Sequence, residues 1–178
     1  MFKIRTTNRE NRTSIMGEFD TMEIIVQSNS LQETLVLGRK LAQVLRGGDV
    51  IGLTGDLGSG KTALVQGIGA GCGLPGPLTS PTFTFIQEYA VAVHGESCRL
   101  IHMDLYRLNY PEEAEVIGVP DFFQEDCICL IEWPKVVWDW LPENQLEVQV
   151  EGSGDTVRRF TFSSVDAEWM ERLRPLQD

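Results

Sequence analysis

Basic residues are scarce in this chain. Lys and Arg number 15 against 26 Asp and Glu, giving a formal net charge of −11. That balance weighs against a free-standing nucleic-acid binder, whose affinity rests on cations that neutralise phosphates. It permits docking onto a basic protein partner. Histidine is rarer still, with 2 residues, and none of the 4 cysteines shows C-x-x-C spacing. Cys127 and Cys129 alternate along an apolar run, so both thiols face one side of a strand. With no histidine close to them in sequence, buried reduced thiols are expected rather than a metal centre, as for a cytoplasmic protein. No apolar run approaches the length that crosses a bilayer, and the first residues do not resemble a signal peptide. Internal repeats, low-complexity tracts and a second domain are also missing. Residues 1–21 read as a polar tail ahead of one domain over 22–178, and Glu10, Glu18 and Asp20 argue against a transit peptide.

What is present is concentrated in one segment. Gly55-Asp56-Leu57-Gly58-Ser59-Gly60-Lys61-Thr62 satisfies G-x-x-x-x-G-K-[ST] at every fixed position. Glycines there let backbone N–H groups wrap a phosphate, Lys61 reaches the outer phosphates, and the Thr62 hydroxyl faces a magnesium ion. A glycine-rich turn before a helix is the competing reading. The flanks decide against it: residues 49–54 read as a short buried strand and 63–68 open an amphipathic helix, the order the motif requires.

Elsewhere the pattern predicts a first strand over 23–27, a cap at Ser28-Asn29-Ser30, and a helix over 31–46 ending at Gly47-Gly48. Residues 82–93 and 97–106 form a hairpin about His94-Gly95-Glu96, and Pro111 starts a short acidic helix. The run 127–131 suits a central strand, 147–150 and 157–163 a second hairpin, and 166–174 a closing helix. The fold class expected is a P-loop NTPase-like α/β domain, with a mixed, mostly parallel central sheet, antiparallel hairpins and flanking helices.

Binding alone needs only the loop; hydrolysis needs carboxylates that hold magnesium and orient an attacking oxygen. Glu132 ends the apolar strand as a Walker-B acid ends its own, although a surface glutamate at a strand terminus fits the same spacing. Asp104 shares a strand face with His102, so the pair can line the phosphate site or stand as a solvated hairpin acid paired with Arg107. Thr79-Ser80-Pro81-Thr82 sits where nucleotide switch loops occur, and is equally a plain Ser-Pro turn. His94 and His102 carry weak signals. Trp133 is either an aromatic lid or, like Trp138 and Trp140, a core residue.

The loop, then Thr79-Ser80-Pro81-Thr82-Phe83, then His102-Met103-Asp104-Leu105-Tyr106-Arg107, then Leu130-Ile131-Glu132-Trp133-Pro134, together resemble the TsaE (YjeE) family over residues 23–163. Those are small bacterial P-loop ATPases of tRNA threonylcarbamoyladenosine synthesis. The resemblance implies that Lys61 and the loop amides hold ATP, that Thr62 and Glu132 organise Mg2+, and that Asp104 is a hydrolytic or metal-positioning acid. It makes residues 80–83, including Thr82, a nucleotide-sensitive switch and sets Trp133 beside the site. It also implies TsaB and TsaD partners, with tRNA contacted mainly through them, and neither membrane nor DNA. Ser59, where alanine is usual, and the segment before Met22 depart from the pattern. Two other functions share the loop. A small-molecule or nucleotide kinase needs arginines from a lid, and between Ala63 and Pro134 only Arg99 and Arg107 occur. A nucleotide-gated binding module needs no turnover at all. A GTPase is disfavoured because no Asn/Thr-Lys-x-Asp motif follows the loop.

Overall fold

A computed structural model describes residues 5–7, 21–81, 83–153 and 156–177. Among these residues eight strands form one sheet: β1 (Arg5–Thr7), β2 (Thr21–Ser28), β3 (Val50–Thr54), β4 (Ile86–Val93), β5 (Glu96–Asp104), β6 (Cys127–Glu132), β7 (Leu146–Ser153) and β8 (Val157–Ser164), in the order β1-β2-β8-β7-β3-β6-β5-β4. The pairings β7–β3, β3–β6 and β6–β5 are parallel, and the outer pairings are antiparallel. The expected mixed sheet with a parallel centre is therefore present. Most of the segment expected as a polar tail lies outside the described residues; within it, β1 sets Arg5 opposite Glu23 of β2.

The apolar patterns explain the layers. Every residue of β6 is buried, as a strand covered on both faces must be. On one face of the sheet, Leu37 and Leu41 of helix α1 (Leu31–Ala42) and Leu64, Val65 and Ile68 of helix α2 (Lys61–Gly71) pack with Ile51, Leu53, Leu100, Leu130 and Phe160. On the other, Ala114 of helix α3 (Pro111–Val116), Val119, Val137 and Leu141 pack with Ile101, Met103, Cys129 and Ile131. Helix α4 (Ala167–Arg172) adds Trp169 and Met170 to the first layer.

Two glycines bring α1 and α2 together. A β-carbon on Gly67 would lie 2.6 Å from Leu35 O and 2.9 Å from Gly38 Cα, and one on Gly38 2.5 Å from Leu64 O. The backbones thus approach to a distance that any side chain prevents, and α2 is fixed against α1.

Helix α1 begins as its sequence predicts, with the Ser30 hydroxyl accepting from Glu33 N at 3.1 Å. It ends at Ala42, short of the expected Arg46. The amides that follow bond back three residues rather than four, Gln43 N to Lys40 O, Val44 N to Leu41 O and Leu45 N to Ala42 O, while Arg172 donates from Nε to Val44 O at 2.9 Å and pairs with Asp49. The β4–β5 hairpin turns on His94 and Gly95, both at positive φ (53° and 85°), the backbone that a two-residue turn with matching twist demands. Strand β4 starts at Ile86 rather than at residue 82, and the closing helix is shorter than 166–174 and is followed by a 3-10 turn, Arg174–Gln177.

Among the described residues, no helix is long and apolar enough to cross a membrane. Cys98, Cys127 and Cys129 are buried and Cys72 is half-buried, all as free thiols. Burial pushes Cys129 up to about 12 and Cys72 up to about 11. No group of three or more His, Cys, Asp and Glu suited to a metal occurs among the described residues.

Candidate functional site

Strand β3 delivers the chain to the centre of the sheet, and the loop from Gly55 to Gly60 turns it back into α2. Gly55 has φ 131°, and a side chain there would run into the Val150 carbonyl, so no other residue fits. Gly58 and Gly60 also take positive φ, 76° and 111°. Leu57 points to solvent at 76 % exposure, whereas Ser59 is buried with its hydroxyl unpartnered. Helix α2 starts at Lys61 with no side-chain cap, which leaves its first N–H groups facing the loop.

Lys61 and Thr62 open that helix. Lys61 Nζ donates to Gly55 O at 2.7 Å and Asp56 O at 2.8 Å, and lies 4.0 Å from the centre of the Trp133 ring. Burial holds its ammonium below the ordinary 10.5, against the opposing pull of Glu132, Asp104 and Asp56. Thr62 Oγ1 donates to Glu132 at 3.0 and 3.1 Å from its two oxygens.

The parallel register of β5 and β6 brings the acids together. Asp104 is opposite Glu132, as His102 is opposite Leu130, and Leu53 of β3 flanks Glu132 on its other side. Glu132 is 3 % exposed and Asp104 6 %, so neither is a solvated surface acid. Asp104 Oδ1 accepts from Tyr106 N at 3.1 Å, and its Oδ2 from the Ser80 hydroxyl at 3.3 Å. Arg107 lies over the exposed Phe83 ring, 4.4 Å from its centre.

His102 carries more than its sequence signal conveys. Fully buried, its Nε2 sits 2.8 Å from Glu132 Oε1 and donates to that carboxylate, with Nδ1 lacking a partner. The Glu132 carboxylate is thus oriented from two elements, by Thr62 of α2 and by His102 of β5. The detectable signal was the i, i+2 alternation of His102 with Asp104, which places both on the α2 side of the sheet.

Trp133 follows Glu132 in the left-handed conformation (φ 59°, ψ 54°), uncommon for an aromatic residue. That reversal aims its ring at Lys61 and Tyr106, whose ring centre is 4.9 Å away. A cavity of about 390 Å³ opens beside it, lined by Thr54, Gly55, Asp56, Pro134, Lys135 and Trp138. The segment before Pro81 is tied in as well: Gln66 of α2 donates to Leu78 O at 3.1 Å. Thr82, the remaining residue of the expected switch, lies outside the described residues.

Lys61, Thr62, Asp104, Glu132 and Trp133 therefore meet at one end of the sheet, beside the glycine loop. Hard oxygen donors next to helix N–H groups and a lysine suit a phosphate-bound divalent cation rather than a transition metal.

A parallel-centred sheet with this strand–glycine loop–helix unit defines a P-loop NTPase-like α/β protein. The chain belongs to the TsaE family: the model for "Threonylcarbamoyl adenosine biosynthesis protein TsaE" matches residues 28–160. It is similar to proteins called tRNA threonylcarbamoyladenosine biosynthesis protein TsaE. The Bacillus subtilis one is 37% identical over 75% of this chain and 81% of its own length. The Haemophilus influenzae one is 40% identical over 66% and 75%. The crystal structure of Bacillus subtilis YdiB superposes with a TM-score of 0.69 at 29% identity, covering 92% of this chain and 97% of that one.

Proposed function

We propose that this chain binds ATP with Mg2+ at the Gly55–Thr62 loop and hydrolyses it slowly, as a cytoplasmic accessory to threonylcarbamoyl modification of tRNA A37. Its role in tRNA threonylcarbamoyladenosine biosynthesis follows from the family. The observation that carries the ATPase reading is the contact of Thr62 with Glu132, since those two oxygen groups are the pair that a P-loop protein uses on magnesium.

The loop amides from Asp56 to Thr62 cradle the phosphates, and Lys61 moves from its own loop carbonyls to the outer phosphate oxygens. Thr62 and Glu132 would hold Mg2+, which would supply positive charge against that of the phosphates. Asp104 would orient the attacking water or position the metal, and Ser80, through its hydrogen bond to Asp104, would couple the 80–83 segment to the nucleotide. Trp133 covers Lys61. Slow turnover is expected because arginine fingers, which accelerate such reactions strongly, are scarce near the acids. Partners of the TsaB and TsaD type make most of the tRNA contact, consistent with a net charge of −11.

The test is titration of the protein with ATP and Mg2+, followed by phosphate release with and without the two partners. Wild type should bind ATP and Lys61→Ala should lose at least about tenfold in affinity, as expected when a charge-assisted phosphate contact is removed. Equal ATP affinity in the two proteins refutes the loop assignment. Binding with no phosphate release under any condition would instead make the chain a nucleotide-gated module.

A further inference from the structure

The glycine loop has two flanks. Strands β6 and β5 bring Glu132 and Asp104 to one; β7 and β8 form the other. On that second flank stands Arg158, near the start of β8, paired with Gly152 of β7 and Ser28 of β2. Its half-buried side chain runs along the loop. A β-carbon on Gly60, the residue before α2, would lie 3.6 Å from Arg158 Nε and 3.7 Å from Cγ and Cδ. One on Gly152 would lie 3.7 Å from Nη1 and 3.8 Å from Cζ. Nη1 donates to Val157 O at 2.8 Å, which helps fix the guanidinium across the two glycines.

We infer that Arg158 binds the nucleoside end of the nucleotide, contacting the phosphate attached to the ribose. The inference rests on the ATP reading above. Thr62 and Glu132 would hold magnesium and so would supply the positive charge for the outer phosphates, which assigns the outer end of the triphosphate to the β6 flank. The rest of the molecule then leaves the loop over Gly60 and the first turn of α2, on the flank where Arg158 is held. A guanidinium is charged at any working pH and offers paired donors to phosphate oxygens. Gly60 and Gly152 lack side chains that would stand between it and the ligand. Arg158 thus grips ADP as firmly as ATP and takes no part at the outer phosphate.

The experiment titrates the full chain and its R158A variant with ADP, with ATP and Mg2+, and with inorganic pyrophosphate as a ligand confined to the outer positions. ADP and ATP affinities should fall by the same factor, about tenfold or more, as for loss of a hydrogen bond to a charged group. Pyrophosphate affinity should hold, and R158K should recover part of the loss. R158Q, which keeps much of the stem, answers the same question if R158A does not fold. Unchanged ADP affinity overturns the inference. So does a loss confined to ATP, which moves Arg158 to the outer phosphate, or an equal loss for pyrophosphate, which makes it a brace for the loop. If wild type binds none of these ligands, the ATP reading itself fails, an outcome distinct from those three.

Discussion

Thr62 on α2 and Glu132 at the end of β6 are 70 residues apart in sequence, and the threonine hydroxyl lies 3.0 and 3.1 Å from the two carboxylate oxygens. Their contact joins the glycine loop and its helix to the acid that a strand terminus presents. Glu132→Ala should therefore keep nucleotide binding while turnover falls by about a hundredfold or more, the usual scale for removing a preorganised electrostatic group. Asp104→Ala should behave alike. ADP titration beside phosphate release distinguishes the two quantities; turnover at the wild-type rate in either variant removes that acid from the mechanism.

His102 acts through Glu132. Replacing it with Phe fills the buried space but removes the 2.8 Å hydrogen bond that orients the carboxylate. The Mg2+ concentration for half-maximal ATP turnover should rise about tenfold or more, as when partners behind metal-holding groups are removed. Nucleotide affinity measured without metal should stay put. An unaltered Mg2+ requirement would show that Thr62 alone orients Glu132.

The close approach of α1 and α2 makes Gly67 intolerant of a side chain. Gly67→Ala sets a methyl 2.6 Å from Leu35 O, in backbone that has no flexible end to move aside. The urea midpoint should drop by the equivalent of about 1–3 kcal/mol, the ordinary cost of overpacking a core. A midpoint equal to wild type would mean the helices separate at little cost.

Cys129 links stability to alkaline pH. Its thiol is pushed up to about 12 from an ordinary 9.0 because burial disfavours the thiolate. The folded chain therefore keeps this proton where the unfolded chain releases it. The contribution is whole below pH 9.0 and is lost as pH climbs from there towards 12, by up to about 1.4 kcal/mol per unit. Cys129→Ala should flatten that part of the profile in urea titrations at rising pH. In the native protein at pH 9, Cys129 should resist alkylation until denaturant is added.

Much of the architecture was legible locally. The glycines of the loop, the strand before it and the helix after it follow from backbone freedom and periodicity over a few neighbours. The same holds for the cap within Ser28-Asn29-Ser30 and the hairpin about His94-Gly95-Glu96, which the structure narrows to Ser30 and to a turn at His94 and Gly95. Early closure of α1 was not legible, because Val44 and Leu45 keep the helical apolar spacing while the amides after Ala42 bond back three residues rather than four. Nor was the left-handed backbone at Trp133.

By itself, the sequence determined that a glycine loop would join a buried strand to a helix, since each choice there is short-range. Only the tertiary structure decided that Glu132 is the acid Thr62 meets, that Asp104 stands beside it and that His102 backs it. Spacing left a solvated hairpin acid and a site acid equally compatible with Asp104. The parallel pairing of β5 with β6 set Asp104 opposite Glu132, and burial there leaves both carboxylates to protein partners rather than water, Thr62 and His102 for Glu132, Ser80 and the Tyr106 amide among those of Asp104.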